Sequence, residues 1–288
     1  MLVSLLISTY NWKEALSLCL YSVFAQTVKP AEILIADDGS REDTRQLIDE
    51  MREKTDIPIV HVWHEDKGFR LSAIRNRSIE KAKGDYIIQI DGDIILDRHF
   101  IADHLELAEK GYFVCGSRVL LGKMSTTRLL KGVEKYPALL KQNLRFVLNA
   151  FRSRVLRRYL ANRYAKRTML RIRGCNMAFW KEDLVHVNGY NESLEMWGQE
   201  DVEISYRLIH AGIQKKQLKM GGVQFHLYHK FASRENLEYH EQVLRKVIEE
   251  RIVWCENGIV KICKLLSYHE SESCICSHRI WGKRKWRR

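Results

Sequence analysis

The sequence predicts an α/β fold with a mostly parallel central sheet flanked by helices. Through the first 120 residues, short apolar runs alternate with helical patterns. That alternation is the mark of βαβ units whose sheet is covered on both faces. The chain has 288 residues, of which 45% are hydrophobic and three are proline. This is enough for one large core, without long disordered stretches.

The elements follow in order. Residues 2–8 read as the first strand and 12–26 as a helix, with Asn11 and Glu14 in capping-box spacing. Residues 32–36 form a second strand, after which Ser40 and Asp43 start a second helix. A third strand over 59–63, a helix over 71–83, and strands over 86–90 and 112–118 complete a first unit, residues 1–120. Residues 121–172 break the pattern. There Leu140, Leu144, Val147, Phe151 and Val155 recur at helical spacing among lysines and arginines, which predicts a basic amphipathic helical insert. Residues 173–256 resume with a strand over 175–179, a helix over 199–211, a strand ending at Phe225 and a helix over 235–255. Residues 257–288 read as a basic tail.

Charge is unevenly placed. Residues 123–173 hold 15 Lys/Arg against one acid, Glu134, and the last eleven residues hold six more basic side chains and no acid. Because the whole chain is at +12, the remainder carries −8. An acidic body with a basic insert asks for an acidic partner. No run of 18 apolar residues is present, so no spanning helix is expected, and the opening MLVSLLISTY reads as a buried strand, not a signal peptide. Seven scattered cysteines without framework spacing fit a reducing cytoplasm. Cys274, Cys276 and His278 lack the spacing of a common zinc site and read as part of the tail.

Ligands of parallel sheets sit at the carboxyl ends of the strands. Asp91, Gly92 and Asp93 follow one such strand. In extended chain, residues two apart point to the same side, so both carboxylates can reach one hard divalent cation, which can also bind a diphosphate. Gly92 permits close approach of a ligand to the backbone. Trp197, Gly198, Gln199, Glu200 and Asp201 precede an amphipathic helix. Acids in a first turn serve the helix dipole, and one of these can also accept a proton from an attacking hydroxyl. Asp37, Asp38, Gly39 and Ser40 combine a turn with a carboxylate able to hydrogen-bond a base or ribose. His226 and His229, three apart after an apolar stretch, are candidate metal ligands.

In order and spacing these motifs resemble glycosyltransferase family 2 with a GT-A fold. The C-terminal half is similar to the galactosyltransferase and chondroitin-polymerase type of catalytic module. Further matching residues are Leu5, Ile7 and Ser8; Glu65 to Arg70 with Arg75 and Asn76; Arg173 to Phe179; and Asn188 to Glu192. The resemblance implies that 1–120 is the nucleotide-sugar-binding half and 173–256 the acceptor-binding and catalytic half. It implies that Thr9, Tyr10, Asn11 and Asp38 hold the nucleoside, with Arg70 and Arg75 on the nucleotide or its phosphates. Asp91, Gly92 and Asp93 would bind the donor diphosphate, the two aspartates through a metal, Mn2+ or Mg2+. His226 is the preferred third metal ligand and His229 the second choice. Asp201 is implied as general base, while Glu200, Asn176, Trp197 and Gly198 shape the donor-sugar and acceptor pocket.

The activity so implied is inverting transfer of a sugar, from a UDP-sugar donor, to a hydroxyl of a glycan or lipid-linked glycan in surface polysaccharide biosynthesis. The expected location is the cytoplasm, with the insert and tail docking on the anionic inner face of the plasma membrane. An alternative is a nucleic-acid- or anionic-membrane-binding protein with a non-catalytic nucleotide-binding fold. Against nucleic acid, no recognition motif is visible, and the acidic strand-end cluster would repel phosphate without a metal. A nucleotidyltransferase would need a glycine-rich loop after its first strand, and Thr9, Tyr10, Asn11 and Trp12 contain no glycine.

Overall fold

The computed structural model of the chain describes residues 1–133, 148–163, 172–230 and 236–261. Leu140, Leu144 and Val147 of the insert, and the basic tail from residue 262 on, with Cys274, Cys276 and His278, lie outside the described residues. Strands β1 (Val3–Thr9), β2 (Glu32–Asp37), β3 (Ile59–Trp63) and β4 (Tyr86–Asp91) run parallel in the order β3-β2-β1-β4. Helices α1 (Lys13–Phe24), α2 (Glu42–Arg52) and α3 (Leu71–Lys81) connect them. Next come β5 (Ile94–Leu96), α4 (Phe100–Leu107), β6 (Tyr112–Cys115), β7 (Val119–Leu120), α5 (Lys123–Leu130) and α6 (Arg154–Arg163). Then follow β8 (Met177–Trp180), α7 (Lys181–His186), α8 (Glu200–His210), β9 (Gln214–Gln217), β10 (Gln224–His226) and α9 (Leu237–Glu249).

The main sheet has seven strands, β3-β2-β1-β4-β8-β6-β9, with β8 antiparallel to both neighbours. Alternate residues of its strands face opposite layers, as period two requires. Leu5, Ile7, Ile33, Ile35 and Ile88 pack with Leu16, Leu20 and Ile48. Leu6, Leu34 and Ile87 pack with Ile74, Ile204 and Leu208 on the other side. Each such side chain contributes about 1.5–3 kcal/mol by leaving water. A second sheet, β5-β10-β7, carries its own small core of Val119, Phe225 and Leu227.

The structure corrects several local expectations. The strands at β1, β2 and β4 each run one residue further, so Thr9, Asp37 and Asp91 are ladder residues and not loop residues. Neither predicted helix cap forms. The N-caps are Trp12 and Arg41, without side-chain bonds. Instead Asn11 Oδ1 accepts from Arg41 N at 3.0 Å, and Ser40 Oγ accepts from Asn11 N at 2.8 Å. The two polar residues tie the β1–α1 and β2–α2 loops to each other, and Asn11 adopts φ 47° to do so. The strand expected over 112–118 ends at Cys115, with one further bond in register from Gly116 N–H to Asn176 O, and Val119–Leu120 pair instead with the second sheet. The elements β5, α4, β7 and α7 have three, eight, two and six residues, too short to show a readable period.

The described part of the insert is fastened by ion pairs to α4. Asp103, fully buried, accepts from Arg152 Nη2 at 2.7 Å and lies 3.0 Å from Arg157 Nη1. Glu106 meets Arg154 Nε and Arg158 Nε at 2.7 Å each and is also bonded by Arg157. The outer arginines are exposed and contribute little. Arg157 is the buried member. Burial pushes the Glu106 carboxyl up, but the guanidinium bonds prevail and hold it down to about 2, against an ordinary 4.5. Glu106→Gln is expected to cost about 3 kcal/mol by leaving Arg157 underpaired. The wild type's advantage over this variant should be complete above about pH 4.5 and shrink as pH falls toward 2. Urea unfolding of both proteins at a series of pH values would test this; a difference independent of pH would refute the assignment.

Candidate active site

The candidate residues gather at the carboxyl ends of β1, β2 and β4. Pairing sets Ser8 beside Asp91 and Thr9 beside Asp37. The chain after β4 bends tightly over β1. Gly92 N donates to Ser8 O at 2.7 Å, and a Cβ at Gly92 would lie 3.1–3.2 Å from Ser8 O and Thr9 Oγ1. Glycine there is a packing requirement as well as room for a ligand.

Asp93 then meets the small sheet. Register places His226 beside Ile94, and Leu227 N donates to Asp93 O at 3.0 Å. Asp93 Oδ2 lies 3.5 Å from His226 Nε2 and 3.2 Å from His229 Nε2. Ligand atoms from these three residues fall within 4.8 Å of one another. Each imidazole uses Nδ1 on a carbonyl, Leu227 O at 2.8 Å and Lys230 O at 2.7 Å. That contact commits the Nδ1 N–H and leaves Nε2 facing Asp93, to donate to the carboxylate when the ring is protonated and to offer a lone pair to a metal when it is neutral. Asp93 Oδ1 is buried without a hydrogen-bond partner. Burial raises the Asp93 carboxyl, but the His229 bond and the neighbouring charges outweigh it and leave it lowered. These features fit a divalent cation, and they do not rank His226 over His229. Asp91 stands apart from the three, with its Oδ1 3.4 Å from Arg75 Nη2. Burial, followed by the opposing pull of Arg75, sets its carboxyl at about 6.

Arg75, on α3, is 1% exposed. Its guanidinium lies 3.0 Å from Asp201 Oδ1, 3.5 Å from Glu200 Oε1 and 3.4 Å from Asp91 Oδ1, and Nε reaches Ser8 Oγ at 3.3 Å. Its other face stacks on Tyr190 at 5.2 Å. It therefore sits beneath the site as a hub for carboxylates, not at its open surface beside a phosphate. Tyr190 donates to Gln89 Oε1 at 2.9 Å, and Gln89 Nε2 donates to Gly174 O at 2.9 Å. Gly174 abuts the carboxylate of Asp201: an added Cβ would fall 2.1 Å from Asp201 Oδ2. Glu200 and Asp201 open α8 after a loop in which Met196, Gly198 and Gln199 all have positive φ. His240, fully buried, sits 2.6 Å from Gly198 O and 2.8 Å from Glu195 O, which holds that loop and the exposed Trp197 in place. Burial, then the charge of Asp201, pushes Glu200 up to about 7.

Other expected residues have different surroundings. Asp38 is engaged on both oxygens, with His64 Nε2 at 2.6 Å and Arg70 N at 2.9 Å, and burial raises its pKa. Thr9 is buried, and the exposed Tyr10 donates to Asp66 Oδ2 at 2.9 Å. The Arg70 side chain bonds Glu65 O, and its buried Nε has no partner. Asn176 does not line a pocket. It is fully buried, donating to Ser117 O (2.7 Å) and Gly222 O (3.1 Å). Its Oδ1 therefore faces a donating His104 Nε2 at 2.8 Å, and burial depresses that histidine to about 4. Asn176 is a staple between the two sheets.

Sequence reasoning missed His64 and Arg118, and gave Asp66, within the matched stretch Glu65 to Arg70, no role. His64 directly follows β3, where strand-end inspection finds it. Arg118 was hidden inside an expected strand. Its guanidinium is mostly buried near Asp91 and Asp93, and burial is outweighed by Cys175 and those carboxylates, so its pKa is raised. Its side-chain hydrogen bond is a long one, 3.6 Å to Cys175 Sγ. A guanidinium with five donors and one sulfur contact, beside a cation cluster, suits an anionic ligand.

With this geometry in place, likeness to known proteins becomes informative. Residues 4–182 match Glycosyl transferase family 2, and residues 156–230 match the N-terminal domain of galactosyltransferase. The chain belongs to glycosyl transferase family 2. Chondroitin synthase of Pasteurella multocida is 26% identical over 277 residues, 90% of this chain but 28% of that relative's length. A mannosyltransferase from Pyrobaculum calidifontis, in complex with GDP-Man and Mn2+, superposes with TM-score 0.55 at 17% identity, covering 79% of this chain and 57% of that one. TarS from S. aureus in complex with UDP gives 0.55 at 15% identity, covering 85% and 64%. The fold is GT-A.

Arg75→Met should strand three carboxylates and cost about 3–5 kcal/mol in denaturant unfolding. Arg75→Lys should recover only part of this, since one ammonium cannot reproduce the fork. A loss below about 1 kcal/mol for the methionine variant would mean that the guanidinium does not hold the cluster together.

Proposed function

We propose that this chain is a metal-dependent, inverting glycosyltransferase. It moves a hexose from a UDP-sugar to a hydroxyl of a glycan or lipid-linked glycan acceptor, in surface polysaccharide biosynthesis. The observation that carries this reading is that Arg75 ties Asp201 to Asp91, two residues before the Asp93 that gathers with His226 and His229. The names of relatives support it: a chondroitin synthase, and structures holding GDP-Man with Mn2+ or UDP.

The chain's own groups divide the work. Thr9, Tyr10, Asn11 and the Asp38–His64 pair receive the nucleoside. Arg118 and Arg70 face the diphosphate. Asp93, His226 and His229, with Asp91 alongside, would hold Mn2+ or Mg2+. When bound there, it would supply positive charge against the departing diphosphate. Asp201 is the base. It is 18% exposed against 9% for Glu200, and Gly174 leaves its Oδ2 room. The acceptor oxygen bonds to the anomeric carbon as the sugar–phosphate bond breaks, and the hydroxyl proton passes to Asp201. Attack opposite the leaving group inverts the centre. Arg75 positions Asp201 through the 3.0 Å bond, and Trp197 with Gly198 borders the acceptor side.

Asp201→Asn is expected to keep UDP binding and lose at least about a thousandfold in transfer. Gly174→Ala, which displaces the base, should lose about a hundredfold. Asp93→Ala should abolish the Mn2+-dependent part of UDP binding, read by titration calorimetry. Wild-type transfer by Asp201→Asn would overturn the base assignment. A separate reading concerns Arg118→Met, which should weaken UDP about tenfold while leaving uridine affinity unchanged.

A further inference from the structure

Helix α6 is built inside out. Its inward face is formed by Arg157 and Ala161, and Arg157 is 1% exposed. At 100° per residue, Val155 and Tyr159 both lie about 160° from Arg157, on the side turned away from the body. They are 79% and 63% exposed. Leu156 beside them and Phe151 one turn earlier are exposed too. A helix facing water on its outer side carries polar residues there. Here the arginine faces in, satisfied by Asp103 and Glu106, and the apolar side chains face out.

The apolar crest is framed by cations. Exposed Arg154 and Arg158 flank one side, and the Arg163 guanidinium lies 5.9 Å over the Tyr159 ring on the other. Asp103 and Glu106 answer only part of the charge of Arg152, Arg154, Arg157 and Arg158. Residues 123–173 as a whole carry a single acid. Outward valine, leucine and phenylalanine offer nothing to a hydrophilic polyanion. Together with surrounding arginines they suit a surface with anionic headgroups over an acyl layer. No helix among the described residues is long and apolar enough to cross a membrane, so the contact is one of lying on the surface.

We propose that the outer face of α6, centred on Val155 and Tyr159, docks the protein on an anionic lipid surface. The apolar side chains enter the headgroup layer, and Arg154, Arg158 and Arg163 pair with lipid phosphates. This goes beyond the transferase reading and does not depend on the metal or base assignments.

The test is co-sedimentation of the full chain with vesicles of phosphatidylcholine, alone or mixed with phosphatidylglycerol, at low and high salt. Wild type should sediment with the anionic vesicles, and less so at high salt. Val155→Glu with Tyr159→Glu should lower the bound fraction at least about fivefold, and Val155→Ser with Tyr159→Ser by a smaller factor. Both variants lie on the exposed face, so their melting temperatures and UDP affinities should match wild type. Unchanged sedimentation of the double glutamate variant would overturn the proposal. So would the absence of vesicle binding by wild type, or retention on an acidic polysaccharide without vesicle binding.

Discussion

One buried guanidinium sets the geometry of the site. Arg75 comes from α3 in the first half of the chain, and it pairs with Asp91 of β4 and with Glu200 and Asp201 of α8. Burying a cation is costly unless carboxylates meet it with good geometry. Burying three carboxylates together is equally costly without the cation. Each side therefore enforces the other, and the placement of Asp201 relative to Asp91 becomes a property of the folded core. Tyr190, Gln89 and Gly174 extend the same constraint to the turn that leads into β8.

Much of the fold was legible in the sequence, because apolar runs such as 32–36 and 86–90 have few other uses. What escaped were elements stabilised by position rather than pattern. β5 and β7 have three and two residues, and pairing with β10 defines them. At the site, residue types in sequence order pointed to Asp91, Asp93, Asp201 and the two histidines. Their mutual partners were invisible, because they join positions such as Arg75 and Asp201, which are 126 residues apart. The caps at Asn11 and Ser40 misled for a related reason. Either side chain can serve its own helix, and only the folded loops show that they serve each other. Asn176 lay in a motif suggestive of a pocket, yet its three hydrogen bonds go to other parts of the chain.

The same contrast runs through the insert. Its composition announced a basic amphipathic helix, but not which face would be inside. The choice was made by α4, where Asp103 and Glu106 supply the acids that Arg157 needs. An electrostatic anchor on the inner face thereby freed the apolar residues of α6 for the outer one.

The small sheet has a consequence for the order of folding. Its strands come from near residues 95, 119 and 225, and they bring His226 to Asp93 across more than 130 positions. Contacts so distant along the chain form late, because the loop they close must be ordered first. The four parallel strands β1 to β4 are complete by Asp91 and can assemble without them. A growing chain would thus complete its parallel core well before His226 and His229 arrive, and would gather the Asp93 cluster only after residue 229 had emerged. The gathering of these three side chains is in this sense a report that the chain has folded as far as residue 229.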